Sequence, residues 1–180
     1  MRLLQHITES FNRPYKYSFD GNNSREDYEY SFKTDNNVNY TFSATLGFDY
    51  GGTKLEGLIK KKTDVSLNYH DGYFNYFDIQ FYIDAEENKR DNIGISGTGD
   101  AMRVLATVLV IMKDFLKREE PQIIVFTADE KSRRKLYDRM IKVLSSKFKY
   151  KLIGTYSVSY GTGTGKEYVL WSGKWDYLII

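Results

Sequence analysis

Thirteen residues from Val38 to Tyr50 alternate without a break. Val38, Tyr40, Phe42, Ala44, Leu46, Phe48 and Tyr50 are apolar or aromatic, and the positions between them are Asn, Thr, Ser, Gly or Asp. Successive side chains of a β-strand point to opposite faces, so a repeat of two predicts a long strand with one buried face. Two shorter stretches repeat the pattern: Tyr15–Asp20 with Tyr15, Tyr17 and Phe19, and Asp27–Lys33 with Tyr28, Tyr30 and Phe32. Gly21-Asn22-Asn23-Ser24 and Asp35-Asn36-Asn37 stand between them as turns. The first part of the chain therefore reads as an antiparallel meander with one face turned to a core.

Further along, Tyr73–Asp84 is a long strand with Phe77, Ile79, Phe81 and Ile83 on one face. Between the two, Leu55–Lys62 fits a short helix, Val65, Leu67 and Tyr69 fit a strand, and Asp71-Gly72 fits a turn. Met1–Phe11 has Leu3, Leu4, Ile7 and Phe11 at helical spacing, with no continuous apolar stretch of the kind a signal peptide carries. The second half changes character. Ser96-Gly97-Thr98-Gly99-Asp100 leads into a helix over Ala101–Arg118, apolar on most of its circumference and so expected to be buried. Thr98 or Asp100 is its expected N-cap, and Glu119-Glu120-Pro121 its stop. A strand over Gln122–Ala128 follows, then a basic helix over Glu130–Ser146 capped by Asp129. Lys151–Tyr160, the glycine run Gly161–Gly165 and Glu167–Ser172 form a terminal hairpin. The expectation is one α+β domain over residues 1–180, with a β-rich half (1–72) and a second half (73–180), a mostly antiparallel sheet, a buried central helix and a basic C-terminal helix.

Composition removes several kinds of chemistry. With 180 residues, 11 Phe, 16 Tyr and 2 Trp, the chain can bury an aromatic core. It has no cysteine, which excludes disulfides, thiolate metal sites and cysteine nucleophiles. Its two histidines, His6 and His70, argue against a histidine metal site, so no metal ligands are assigned. No stretch has the length of a membrane helix, and a soluble, cytoplasmic protein is expected. The net charge of +2 is uneven. Residues 1–100 carry 11 Lys/Arg against 16 Asp/Glu, and residues 101–150 carry 12 against 6. A basic segment of this kind fits either a phosphate-bearing ligand or a solvated helix face.

The segment Ile95–Ala101, ISGTGDA, carries the chemical interest. Glycines just before a helix let an anion approach the free N–H groups of its first turn; the alternative is a tight capped loop. Arg103, one turn on, reaches a phosphate, pairs with a buried carboxylate, or carries its head to the surface. The order strand, glycine turn, helix, strand, helix with a tyrosine, and two last strands resembles the Gcn5-related N-acetyltransferases over about Tyr73–Ser172. Gly97-Thr98-Gly99 matches that family's glycine pair, and Asp129–Tyr137 resembles its stretch ending in Leu-Tyr. Gly94 stands where the family has Arg or Gln, and Glu130 where it often has Asn. In its Tyr- and Asn-rich, cysteine-free style the chain is also similar to orphan proteins of bacteriophages.

The resemblance implies an acyl-coenzyme-A N-acyltransferase fold and direct transfer of an acetyl group from acetyl-CoA to an amine acceptor. It implies Gly97, Thr98, Gly99, Asp100, Ala101, Arg103 and Ser132 as cofactor-contacting residues, and Tyr137 as the acid that protonates the departing thiolate. Asp78 or Asp84, on the central strand, is the expected base. The competing expectation is a catalytically silent protein of the same fold that binds a protein or a nucleic acid, such as a phage anti-defence module. The basic last helix and the Lys60-Lys61-Lys62 run would serve nucleic acid if they shared one face. The low net charge counts against that class.

Overall fold

A computed structural model describes residues 13–21, 27–49, 53–63, 74–83, 101–128, 131–160 and 163–173. Its elements in chain order are β1 (Tyr17–Gly21), β2 (Asp27–Lys33), β3 (Asn39–Asp49), α1 (Lys54–Lys62), β4 (Phe74–Ile83), α2 (Ala101–Glu119), β5 (Ile123–Ala128), α3 (Lys131–Lys147), β6 (Lys151–Tyr160) and β7 (Gly163–Trp171). The seven strands form one sheet in the order β1-β2-β3-β4-β5-β7-β6. The α+β class and the mostly antiparallel sheet are as expected. β4 and β5 run parallel. The N-terminal helix, the strand at Val65–Tyr69 and the turn at Asp71-Gly72 lie outside the described residues.

The chain divides into two compact units, residues 1–44 with 80–120, and residues 45–79 with 121–180. In the first, β1 and β2 pair antiparallel from Tyr17↔Phe32 to Gly21↔Tyr28. β2 and β3 are neighbours joined by only five residues, which forces them antiparallel, since parallel neighbours need a long crossover. Thr34 closes that turn: its N–H donates to the Val38 carbonyl (2.9 Å) and its carbonyl accepts from the Asn37 N–H (3.0 Å). Asn37 sits at φ 63°, a left-handed conformation that Asn tolerates. The alternating aromatics turn inward as the period predicts. Phe32, Tyr40 and Phe81 stack at 5.1–6.1 Å between centroids, and Phe115 of α2 meets Tyr28 edge-on at 5.5 Å. Val104–Val108 of α2 are all buried, as a helix apolar nearly all round should be. The helix ends where Glu120 turns to φ 43° ahead of Pro121, which cannot continue it.

In the second unit, β5, β7 and β6 pair antiparallel, from Ile123↔Trp171 to Ala128↔Lys166 and from Lys151↔Trp171 to Tyr160↔Gly163. The hairpin is tighter than the glycine run suggests. Gly163 and Gly165 belong to β7, and only two residues lie between the paired ends. A helix packs on each face. On one face, Leu55, Leu58 and Ile59 of α1 cluster with Ile123, Val125, Ile153, Val169 and Trp171. On the other, Tyr137 of α3 packs on Phe126 (5.5 Å) and Tyr168 (6.2 Å). α1 starts at Thr53, whose hydroxyl accepts from the Glu56 N–H at 3.1 Å, and Glu56 pairs with Lys60 one turn on.

Candidate functional site

The parallel pairing of β4 and β5 covers three positions: Phe77↔Ile124, Asp78↔Val125 and Ile79↔Phe126. β5 runs on through Thr127 and Ala128, still paired with Glu167 and Lys166 of β7. The chain passes from this end of β5 to the first turn of α3. One edge of β5 is thus paired with β7 to its end, and from there the chain leads to a helix N-terminus.

The register also fixes which face each candidate occupies. Residues aligned in a ladder share a face, so Asp78 shares one with Val125, on the α1 side, where Tyr76 also packs. Tyr137, 2% exposed, stands on Phe126 on the α3 side. The expected base and acid therefore lie on opposite faces of the same sheet. Asp78 pairs with Val125, one register position from Phe126, which carries Tyr137.

Arg103 has other engagements. Its Nε donates to the Arg13 carbonyl at 2.8 Å, its Nη1 donates to Asp35 at 2.6 Å, and its guanidinium lies 3.8 Å over the Tyr15 ring. These contacts tie it to the segment ahead of β1 and to the β2–β3 turn, and its side chain stays 30% exposed. Ala101 is the first residue of α2. Asp84, Gly94, Gly97, Thr98, Gly99 and Asp100 lie outside the described residues, as do Asp129 and Glu130 and the side chain of Ser132 at the start of α3.

The basic segments do not form one patch. Lys60, Lys61 and Lys62 end α1 on one face of the sheet, and the exposed Arg139, Lys142 and Lys147 belong to α3 on the other. No helix among the described residues is long and apolar enough to cross a membrane.

A model of a family of unknown function, DUF6934, matches residues 24–162. The match corrects the likeness drawn from element order and glycine spacing: the family that fits most of the chain is not the Gcn5-related N-acetyltransferases. No phage protein is identified either. No curated protein matches the chain.

Proposed function

We propose that this chain, which belongs to the DUF6934 family of unknown function, transfers an acyl group from an acyl-coenzyme-A thioester to an amine. The observation that carries the reading is the parallel β4–β5 register, which brings the candidate base and acid within one position of each other: Asp78 stands beside Val125, and the next residue of β5, Phe126, carries Tyr137.

Acyl-coenzyme A supplies the activated thioester. Asp78, or Asp84 further along the chain, accepts the proton the amine loses as it attacks. A strand N–H holds the negative charge that develops on the carbonyl oxygen. The Tyr137 hydroxyl gives its proton to the departing sulfur. Gly97, Thr98 and Gly99, ahead of α2, have the sequence of a segment that accepts phosphate on backbone N–H groups. Arg103 spends two of its donors on Arg13 and Asp35 and stacks on Tyr15, so no ligand contact is assigned to it in this reading.

The burial of Tyr137, at 2% exposure, favours a second reading, a chain that binds a partner without turnover. Thermal unfolding with and without millimolar acetyl-coenzyme A, at two salt concentrations, separates the two. Ligand at about 100 times its dissociation constant stabilises by about 2.7 kcal/mol, a rise of several degrees for a chain of this size. A rise that survives salt supports the acyltransferase. No rise, or one that salt abolishes, leaves the binding reading.

A further inference from the structure

The two edges of the sheet are built differently. β1 has five residues, with exposed Lys16 just before it and exposed Asp20 within it. Short, charged edge strands resist pairing with another chain. β6 has ten residues, KLIGTYSVSY, no proline, and a single charge at its first position, Lys151. No strand lies beyond it among the described residues. Its one irregularity, between Leu152 and Gly154, falls near its start and leaves Thr155–Ser159 in regular pairing with β7. Along that stretch Thr155, Ser157 and Ser159 are exposed, and Tyr156 and Val158 are half-buried.

We propose that a second copy of this chain pairs with β6, antiparallel, about a two-fold axis beside Ser157, so that two sheets continue into one. The stretch is complementary to itself in that register. Thr155 stands opposite Ser159, Ser157 opposite its own copy, and Tyr156 opposite Val158. Hydroxyl with hydroxyl and aromatic with β-branched are favourable cross-strand pairs. The charge selects the direction. A parallel, in-register pairing would set the two Lys151 side chains beside each other. The antiparallel one moves them about 40 Å apart, at ~3.4 Å per residue. A two-fold contact uses the same patch on both copies and closes on itself. The outer edges of the joined sheet are then the two β1 strands, the edges that are short and charged.

Sedimentation equilibrium of the full chain at tens of micromolar tests this. The expected mass is twice the 21.1 kDa of one chain. Ser157→Lys and Ser157→Asp each set like charges opposite each other at the axis, and each is expected to sediment at the mass of one chain. An equimolar mixture of the two is expected to return to twice that mass, because Lys then faces Asp. Ser157 is exposed, so both variants should keep the wild-type circular dichroism. The double variant Thr155→Lys/Ser159→Lys opposes like charges at two further points without touching the axis and is expected to be monomeric as well. A wild-type chain at single mass, growth past the dimer with concentration, variants that stay dimeric, or a mixture that fails to recombine would each overturn the proposal.

Discussion

The guanidinium of Arg103 lies 3.8 Å over the ring of Tyr15, and the backbone N–H of Tyr15 donates to Thr107, one turn further along the same helix, at 2.9 Å. Thr107 in turn donates to the Arg103 carbonyl at 2.8 Å. Helix and incoming chain are thus joined at two levels, with Arg103 binding the Arg13 carbonyl and Asp35 as well. From sequence this arginine fits a phosphate, a carboxylate partner or a head carried to the surface; in the structure it pairs with the Asp35 carboxylate and braces the incoming chain. Arg103→Lys should cost about 1 kcal/mol, through the lost stacking and the lost fork of donors. Asp35→Asn should cost less, about 0.5 kcal/mol or under, because Asp35 is 72% exposed and its ion pair is screened. Urea unfolding of both variants checks the order. Neither should change affinity for coenzyme A, and a loss of affinity in Arg103→Lys would return that residue to the site.

Tyr17 donates its hydroxyl to Asp114 of α2, and its pKa is pushed up to about 12, first by burial and then by that carboxylate. Burial raises Tyr30 as well. A raised tyrosine keeps its proton in the folded chain at a pH where the unfolded chain has lost it. The stability it contributes is whole below about pH 10 and is lost as pH rises toward 12. Between those values the wild type should lose stability more steeply than Tyr17→Phe. Denaturant midpoints measured across that range check this, and parallel curves would contradict it.

Gly154 of β6 lies beneath Leu58 of α1, where an added Cβ would sit 2.5 Å from the leucine Cδ1. Gly154→Ala should cost about 1–3 kcal/mol by overpacking. Adding Leu58→Ala should recover part of that loss, giving a favourable coupling in a double-mutant cycle. Additive losses would mean that the strand moves away instead of the side chains clashing.

Tyr137→Phe separates the two readings of that residue. As the acid of the transfer it should lower turnover by about 10²-fold with little loss of stability. As a packing residue between Phe126 and Tyr168 it should leave turnover unchanged. Single-turnover rates on folded protein decide between them.

Much of the fold is legible in the chain because its signals are local. The alternation and flanking turn residues place β2 over Asp27–Lys33 and β6 over Lys151–Tyr160, and the apolar helix read over Ala101–Arg118 is α2. The Thr53-x-x-Glu56 cap was equally visible in the sequence and marks the start of α1, which the spacing alone put at Leu55. What was not legible depends on pairing at a distance. The partners of Arg103 lie 90 and 68 residues away. The placement of Asp78 and Tyr137 on opposite faces follows from the β4–β5 register and from which face α3 covers, neither of which periodicity encodes. The basic runs of α1 and α3 read alike in sequence but sit on opposite faces for the same reason. The glycine turn and Asp84 fall outside the described residues, so their roles rest on the sequence alone.

The most direct test of the acyl-coenzyme-A reading follows the backbone amide resonances of isotope-labelled protein during titration with coenzyme A. The account predicts that Thr127 and Ala128, with the amides of the first turn of α3, shift saturably, while Ser157 and Ser159 at the outer edge of β6 stay in place. Saturable shifts confined to other parts of the chain, or none at millimolar ligand, would contradict it.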